Sequence, residues 1–318
     1  MATVTGLHHV TAIAGDAQEN LDFYTGVLGM RLVKKSVNQD DPGTYHLFYA
    51  DGEGHPGTDL TFFPWPQLPP GRKGTGLTVE VALAVPTESL GYWQERLTRH
   101  GVELEPLETR FGARYLPFQD PHGLGLSLAL TDDPRDFAPW PESPIPPASQ
   151  VRGLHGVRLW ERHLAQTERF LESALGFVKA GEEDGWHRYV LEGGGSGCQL
   201  ELRELPGERP GTWGIGSVHH IAWRVPDDQA QREAQAEVRA AGRQPTDVID
   251  RFWFRSVYFR EPGGALFEIA TDGPGFAVDE APDALGTTLV LPPWLEPSRS
   301  RIEAALPPLR STIPLQQR

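Results

Sequence analysis

The sequence predicts an α+β protein made of four similar βαβββ units, arranged as two tandem copies of a two-unit half. Three observations support this prediction: the halves resemble each other, short apolar segments alternate with turn residues, and a proline-rich stretch separates the halves. The chain has 318 residues, including 35 Gly and 29 Pro. That length is sufficient for two domains with their own buried cores, and the turn residues are typical of many short strands.

The first internal repeat covers the beginning of each half. LHHVTAIAGDAQENLDFYTGVLG at 7–29 aligns without a gap with LHGVRLWERHLAQTERFLESALG at 154–176, at an offset of 147 residues. Each segment has the pattern of a strand, then a helix with apolar residues three or four positions apart, and then a terminal glycine. The halves therefore begin with the same βα element.

A second repeat covers the end of each half. RFGARYLPFQDPHGLGLS at 110–127 aligns with RFWFRSVYFREPGGALFE at 251–268, at an offset of 141 residues and again without a gap. Asp120-Pro121 and Glu261-Pro262 fall at the centre, where a hairpin turn between two strands is expected. The two repeats together predict units at 6–64, 77–130, 153–205 and 217–271.

These units define the domain organisation. We expect an N-terminal domain at 1–132, a proline-rich linker at 133–150, a C-terminal domain at 151–272 and a tail at 273–318. The tail sequence is irregular apart from a short helix near 299–305, and we expect it to cap the body of the protein.

Composition limits the classes of partner. The net charge is −14, from 29 basic and 43 acidic residues, which argues against nucleic acid or an anionic membrane as the main partner. The N-terminus lacks the features of a signal peptide, and no apolar run reaches the length of about 20 residues needed to span a bilayer. Cys198 is the single cysteine, which excludes an internal disulfide. We expect a cytoplasmic protein without nucleic-acid or membrane partners.

Histidine doublets mark the first strands of units one and four. GLHHVTAI at 6–13 and SVHHIAWRV at 217–225 carry the pairs His8-His9 and His219-His220. Neighbouring side chains on a regular strand point to opposite faces, so a single function should not need both. The recurrence of the doublet at equivalent positions nevertheless indicates a shared role.

Several motifs in order resemble a known family. They are GLHHVT, YHLFYADGEGHPGT, TRFGARYLPFQDPHG, the second HH, YFREPGGALFE and TDGPGF. Together with the four βαβββ units, they resemble the vicinal oxygen chelate superfamily of glyoxalase I, extradiol dioxygenases and bleomycin resistance proteins. The motifs are most similar to the hydroquinone-type ring-cleaving dioxygenases. The resemblance implies curved mixed sheets around a metal site, Fe(II) as cofactor with Mn(II) as an alternative, and a small aromatic substrate with O₂.

Comparison of the repeats selects candidate metal ligands. If each unit offers one ligand from its first strand and one from its last, only two histidines and one carboxylate remain in units one and four. The first strands offer His9, Glu80, Gly156 and His220, and the last strands of units four, two and one offer Glu268, Ser127 and approximately Phe62.

His9, His220 and Glu268 have the composition of the 2-His-1-carboxylate triad, which holds Fe(II) and leaves positions open for substrate and O₂. A closed zinc site would need four ligands, often cysteines. The resemblance implies the same three ligands, and the set requires units one and four to lie side by side.

The resemblance also implies five residues around the metal. His8 or His219 would act as acid or base, Tyr258 would donate to the oxygen, and Arg251 would stabilise an anion. Thr11 lies two residues from His9 and so shares its face. His8 and His219 should point away from that face unless the strand is bulged, and Arg110 at the position equivalent to Arg251 offers a structural explanation for an arginine there.

Simpler roles are expected elsewhere. Glu80 is a weaker rival ligand, and we interpret it and Cys198 as structural. A lone histidine is more often a core or surface residue than a ligand, and we assign no function to His46, His55, His100, His122, His155, His163 and His187.

Two other functions remain open on the same fold. A glyoxalase I-type isomerase would need a fourth ligand, and unit one offers no carboxylate near Phe62. A non-enzymatic binder of the bleomycin resistance type would lack the ligand set. The sequence leaves the oligomeric state open, including a homo-oligomer.

Overall fold

The computed structural model describes residues 4–310. Each unit folds as a strand, a helix and three further strands, so the predicted α+β fold of four βαβββ modules is confirmed. The strands of units one and two are β1 Gly6–Ala14, β2 Arg31–Asn38, β3 Asp41–Ala50, β4 Asp59–Pro64, β5 Leu77–Val85, β6 Glu108–Arg110, β7 Ala113–Gln119 and β8 Gly125–Leu130. Those of units three and four are β9 Leu154–Glu161, β10 Val178–Glu183, β11 Trp186–Val190, β12 Gln199–Glu204, β13 Val218–Val225, β14 Ile249–Asp250, β15 Arg255–Arg260 and β16 Leu266–Thr271.

One helix follows the first strand of each unit. The helices are α1 Ala17–Leu21, α2 Leu90–Arg99, α3 Leu164–Phe170 and α4 Asp228–Ala240; α1 and α3 continue as π-helical turns at Asp22–Val27 and Leu171–Leu175. The side chain of Asp227 caps α4 by accepting hydrogen bonds from two backbone N–H groups. The buried side chains Ala234 and Val238 then pack α4 against the apolar face of the unit-four strands.

The sheets combine units from different halves. One eight-stranded sheet has the order β14-β15-β16-β13-β1-β4-β3-β2, and the other has the order β10-β11-β12-β9-β5-β8-β7-β6. Units one and four therefore share a sheet, as the predicted ligand set requires, and units two and three share the other. The exact domain boundaries at 132, 150 and 272 remain a prediction.

Two β-bulges interrupt the antiparallel junction between β1 and β13. Leu7 pairs with Trp223 and His9 with Ala222, which leaves His8 as the additional residue. Thr11 pairs with His220 and the next pair is Ala12 with Val218, which leaves the residue before His220 as the second additional one. A bulge breaks the alternation of side chains along a strand, so both histidines of a doublet can face the same side.

The same irregularity occurs where β5 meets β9 in the other sheet. The pairing skips Val79 between Thr78 and Glu80 in β5, and it skips His155 in β9. These residues occupy the positions of His8 and His219 in the repeats. The bulge is therefore a feature of all four units, independent of the residue type that occupies it.

The linker and the described part of the tail, 273–310, both pack on unit one. In the linker, Trp140 and Ile145 are buried, and the backbone N–H of Ala138 donates to a carboxylate oxygen of Asp51 at 2.9 Å. The tail includes α5, Arg299–Ala305, the range expected from the sequence, and α5 packs against β3. The Tyr45 hydroxyl donates to the backbone oxygen of Pro307 at 2.9 Å.

A buried lysine fixes the tail to β2. The ammonium group of Lys34 lies 2.8 Å from Asp279 and 2.5 Å from Glu280, and its side chain is fully buried. It also donates to the backbone oxygen of Phe276 and lies 5.4 Å from the ring centre of Trp253. The charge of Lys34 thus connects unit one with the tail and with the segment between β14 and β15.

No helix among residues 4–310 is both long and apolar enough to cross a membrane. The cytoplasmic location remains a prediction from the sequence.

Replacing Lys34 by Met should reduce the free energy of unfolding by about 3 kcal/mol, because Asp279 and Glu280 would lose their buried counter-charge. Lys35→Met is the matched control, since Lys35 is only half-buried and donates to a single backbone oxygen at 3.3 Å. It should change stability by less than about 1 kcal/mol. Urea unfolding followed by tryptophan fluorescence measures both, and equal effects would contradict the role given to Lys34.

Candidate metal centre

Three buried side chains converge at the junction of units one and four. His9 comes from β1, His220 from β13 and Glu268 from β16, which pairs with β13. The Nε2 atoms of the histidines are 3.2 Å apart, and an oxygen of Glu268 lies 3.3 Å from His9 and 3.0 Å from His220. All three are at most 5% exposed. The three residues selected from the repeats therefore form one cluster.

The first histidine of each doublet contacts the second through ring nitrogens. Nδ1 of His8 lies 2.9 Å from Nδ1 of His9, and Nδ1 of His219 lies 2.8 Å from Nδ1 of His220. The bulges make these contacts geometrically available. With Nδ1 of His9 and His220 occupied as donors, each Nε2 carries a free lone pair directed at the cluster.

The surroundings of His8 and His219, the first histidine of each doublet, keep their rings neutral. Burial, followed by the charge of His9, lowers the pKa of His8 to about 3, and burial with the charge of His220 does the same for His219. A neutral imidazole can accept the Nδ1 hydrogen of its neighbour. The ring of His219 is held by Trp213, which stacks on it at 4.6 Å.

The donor set fits a metal ion. The ligand atoms of His9, His220 and Glu268 lie within 4.8 Å of one another, and theirs is the single such group of three or more residues within 4–310. Burial opposes ionisation of Glu268, and positive charge at His9 and His220 holds the pKa of that carboxyl well below its usual value. With both rings neutral, the carboxylate needs another cation at this position. Its oxygens are fully buried and make no well-formed hydrogen bond within the described residues. Three converging lone pairs on buried atoms need a cation between them.

A cavity of about 380 Å³ opens onto His9 and His220. This volume includes space that is open to the solvent. Its walls combine aromatic side chains with polar groups from the β2–β3 hairpin and from Arg251. The other lining residues are Phe48, Phe63, Trp253, Phe254, Asn38, Gln39, Asp40, His46, Arg251 and Tyr258.

Tyr258 and Arg251 line this cavity, close to the cluster. Tyr258 is the direct neighbour of Glu268 in the β15–β16 register. Burial, together with the charge of Glu268, raises the pKa of Tyr258 well above its usual value, so the phenol keeps its proton. The guanidinium carbon of Arg251 lies 5.4 Å from the Tyr258 ring centre.

The partner of Arg251 was not predicted from the sequence. Both terminal nitrogens of Arg251 donate to Asp40, at 3.2 and 2.8 Å, and Gln39 donates to the backbone oxygen of Arg251. Arg110, the repeat equivalent, instead pairs with Glu80. The two arginines therefore have different partners, and a shared structural requirement does not explain Arg251.

Thr11 lies behind the cavity. Its hydroxyl is 2.7 Å from the hydroxyl of Thr61, which is in turn 2.9 Å from Nε2 of His46. The β1–β4 register places Thr61, one residue before Phe62, at the position of Glu268 in unit four. The approximate assignment to Phe62 was therefore off by one residue, and a hydroxyl occupies the position.

The equivalent position in the other sheet contains ion pairs. Glu80 accepts hydrogen bonds from Arg110 and Ser127, as expected for a structural residue. Glu201, at the position of Glu268 in unit three, pairs with Arg158 and Arg188. Arginine side chains thus take the place that a cation would fill between these carboxylates.

Paired βαβββ units with a buried His–His–Glu cluster define a metalloprotein of the glyoxalase type. In agreement, the family profile of the Glyoxalase/Bleomycin resistance protein/Dioxygenase superfamily matches residues 6–128 and 153–269. The chain belongs to this superfamily, which confirms the resemblance inferred from the motifs.

Its relatives include named ring-cleaving enzymes. The chain is 36% identical over 301 residues to the chlorohydroquinone/hydroquinone 1,2-dioxygenase of Sphingobium indicum, covering 92% of this chain and 93% of the relative. It is 43% identical over 317 residues to a Bacillus subtilis protein provisionally named ring-cleaving dioxygenase MhqA, covering 96% and 99% of the two chains.

Solved structures agree with this placement. A crystal structure from Bacillus subtilis, provisionally titled a dioxygenase, aligns with a TM-score of 0.93 and 41% identity over 97% of this chain and 98% of its own. Glyoxalase I from Zea mays aligns with a TM-score of 0.64 and 16% identity, over 84% and 92% of the chains. The second similarity shows a shared fold.

Substituting each histidine of the first doublet in turn should distinguish the metal ligand from the residue that orients it. His9→Ala should abolish binding of a divalent ion, because only two of the three ligands, His220 and Glu268, would remain. His8→Ala should keep the ion but weaken its affinity by about 10- to 100-fold, because His9 loses the contact that orients it.

Competition with a chelator of known affinity measures both effects. His155→Ala is the control, since His155 occupies the equivalent bulge in the other sheet and should leave metal affinity unchanged. Complete loss of binding in both His8→Ala and His9→Ala would contradict the division of roles.

Proposed function

We propose that this protein is an Fe(II)-dependent dioxygenase that opens a hydroquinone- or catechol-type aromatic ring with O₂. The observation that carries the proposal is the cluster of two histidines and one carboxylate facing an aromatic-lined cavity. Three protein ligands on one side leave coordination positions open, as in non-haem Fe(II) oxygenases. The names of the relatives support the same chemistry.

His9, His220 and Glu268 would hold the metal. Bound Fe(II) would supply a Lewis acid for a phenolic oxygen and an electron path between the ring and O₂. The reaction adds both atoms of O₂ to the ring as it opens and needs no external reductant. Mn(II) is the alternative ion, since the ligand set of nitrogen and oxygen donors also accepts it.

The side chains around the metal have distinct proposed roles. Tyr258 keeps its proton and donates a hydrogen bond to a reacting oxygen. Arg251 places a positive charge on the cavity wall and stabilises an anionic oxygen. His8 and His219 orient the ligand rings and are also the candidates for proton transfer. Thr11 supports this wall through its hydroxyl contact with Thr61.

The glyoxalase I-type alternative has less support. A glyoxalase I-type site would need a fourth protein ligand. The position in unit one that is equivalent to Glu268 carries Thr61, whose hydroxyl contacts Thr11 and His46. A non-enzymatic binder would not require three converging donors. The ligand set therefore favours redox chemistry at an open metal site over either alternative.

Oxygen consumption tests the proposal directly. Protein loaded anaerobically with Fe(II) should consume one O₂ per molecule of ring substrate with at least one of hydroquinone, methylhydroquinone and catechol after mixing with aerated buffer. The His220→Ala variant should consume none, because it lacks a ligand. Absence of uptake with all three rings, or uptake that survives the substitution, would refute the dioxygenase assignment. Parallel loading with Mn(II) identifies the active ion.

Substitutions of Arg251 and Asp40 give a second test of the proposed function, because they should lower kcat to different extents. Arg251→Gln should lower kcat by about 100-fold, because a charged hydrogen bond to an anion contributes about 1.5–3 kcal/mol. Asp40→Asn should lower kcat by about two- to fivefold only, because Asp40 is 73% exposed and its ion pair with Arg251 is screened by solvent. Steady-state oxygen uptake measures both variants. Equal losses would indicate that the Asp40 carboxylate itself participates.

A further inference from the structure

His46 is a polar group on an otherwise aromatic part of the cavity wall. It lies on β3, two residues from Phe48, so the two side chains share a face. Its ring centre is 3.8 Å from that of Phe48 and 4.4 Å from that of Phe63, and all three residues line the cavity. Burial lowers the pKa of His46 well below its usual value, so the ring is neutral and has one donor and one acceptor nitrogen.

The neighbouring hydroxyls determine which nitrogen carries the hydrogen. Nε2 of His46 contacts the hydroxyl of Thr61, which contacts that of Thr11. Thr11 is fully buried and, within residues 4–310, its hydroxyl has no hydrogen-bond partner other than Thr61. If Nε2 donated to Thr61, one hydroxyl hydrogen would be left unpaired: that of Thr11 if Thr61 donates to Thr11, or that of Thr61 if it accepts from both neighbours. An unpaired buried donor is costly.

The opposite direction satisfies every hydroxyl hydrogen. Thr11 then donates to Thr61, and Thr61 donates to Nε2 of His46. The hydrogen of the neutral ring therefore lies on Nδ1, for which residues 4–310 provide no hydrogen-bond partner. Since His46 lines the cavity, the partner for Nδ1–H lies within that cavity: solvent in the free protein, and an acceptor atom of a bound molecule when one is present.

The distance across the sheet indicates which acceptor fits. β3 is two strands away from β1, with β4 between them. The registers pair Leu47 with Phe62 and Phe62 with Ala12. His46 therefore lies about four residues farther along the strands than His9, and their backbones are separated by roughly 16 Å. Both side chains face the same cavity. A single aromatic ring can lie between them, with one oxygen at the ligand cluster and a second oxygen at the opposite end of the ring.

We propose that His46 donates a hydrogen bond from Nδ1 to the oxygen of the substrate that is remote from the metal centre, and that by this contact the cavity distinguishes a ring with a second, opposite hydroxyl from a ring without one. This inference rests on the proposed function and assigns a specificity residue to it. Catechol carries its two oxygens on adjacent carbons, so it cannot reach both ends of the cavity. A monophenol lacks the second oxygen altogether. His46 is thus a specificity residue that the sequence alone gave no reason to select.

Binding measurements separate this role from turnover. Anaerobic calorimetry on Fe(II)-loaded protein compares hydroquinone with 4-methylphenol, which has nearly the same shape but lacks the second hydroxyl. The wild-type protein should bind hydroquinone about five- to tenfold more tightly. His46→Gln places its amide near the position of Nε2 and should abolish the preference. His46→Asn places an amide N–H near the position of Nδ1 and should retain most of it.

Metal content and thermal stability, measured on each variant, establish that the variants are folded and loaded. Thr61→Val is a nearly isosteric second variant that leaves His46 in place. It should reduce the preference for hydroquinone, because it removes the donor that fixes the hydrogen on Nδ1. An unchanged preference in Thr61→Val would contradict the assigned direction of the hydroxyl chain.

The results distinguish failure of this inference from failure of the proposed function. A preference that persists in His46→Gln, one absent from the wild type, or one lost equally in both His46 variants would overturn the role of His46. Oxygen uptake by the wild-type protein would leave the dioxygenase proposal standing in each of those cases. Conversely, a preference that depends on His46 without oxygen uptake would support the hydrogen bond while refuting the dioxygenase.

Discussion

The antiparallel pairing of β1 with β13 is the constraint on which the candidate site depends. It joins the first unit of one half to the second unit of the other, so residues 211 positions apart come within 3.2 Å. Its two bulges then turn both histidines of each doublet to the same side. Without the pairing there is no common site, and without the bulges His8 and His219 would face away from their neighbours. One local backbone feature therefore explains both the convergence of the ligands and the presence of doublets.

The other sheet shows what the same backbone does with different residues. Its central strands β5 and β9 have the same bulges, but Glu80, Gly156 and Glu201 occupy the corresponding ligand positions. Two carboxylates without histidines would repel each other in a buried setting, and Arg110, Arg158 and Arg188 supply the compensating charge. Gene duplication thus gave two equivalent sites, of which one retains free donor atoms and the other is neutralised internally. The fold alone does not determine which becomes a metal centre; side chains at three positions do.

Much of this arrangement could be predicted from the sequence, because internal repeats align residues that occupy equivalent positions in space. The alignments of the halves were sufficient for the βαβββ units, for the position of units one and four side by side, and for the cluster of His9, His220 and Glu268. Other features depend on contacts between segments that no alignment relates. Asp40 reaches Arg251 only because the β2–β3 hairpin lies beside β14 and β15, and Thr61 became identifiable only through the β1–β4 register. His46 has no histidine at the equivalent positions, so repeat comparison gave it no weight.

The charges around the cavity favour a ligand that carries one negative charge on an otherwise apolar ring. His8, His219 and His46 are neutral because burial lowers the pKa of each ring, and Tyr258 keeps its proton. The charged groups are then Glu268, Arg251 and the Asp40 that partners Arg251. A divalent ion at the cluster would leave one net positive charge beside aromatic walls. A phenol that loses one proton supplies one negative charge on an apolar ring, so it would neutralise the site and fill the cavity, whereas a neutral apolar molecule would leave the charge uncompensated.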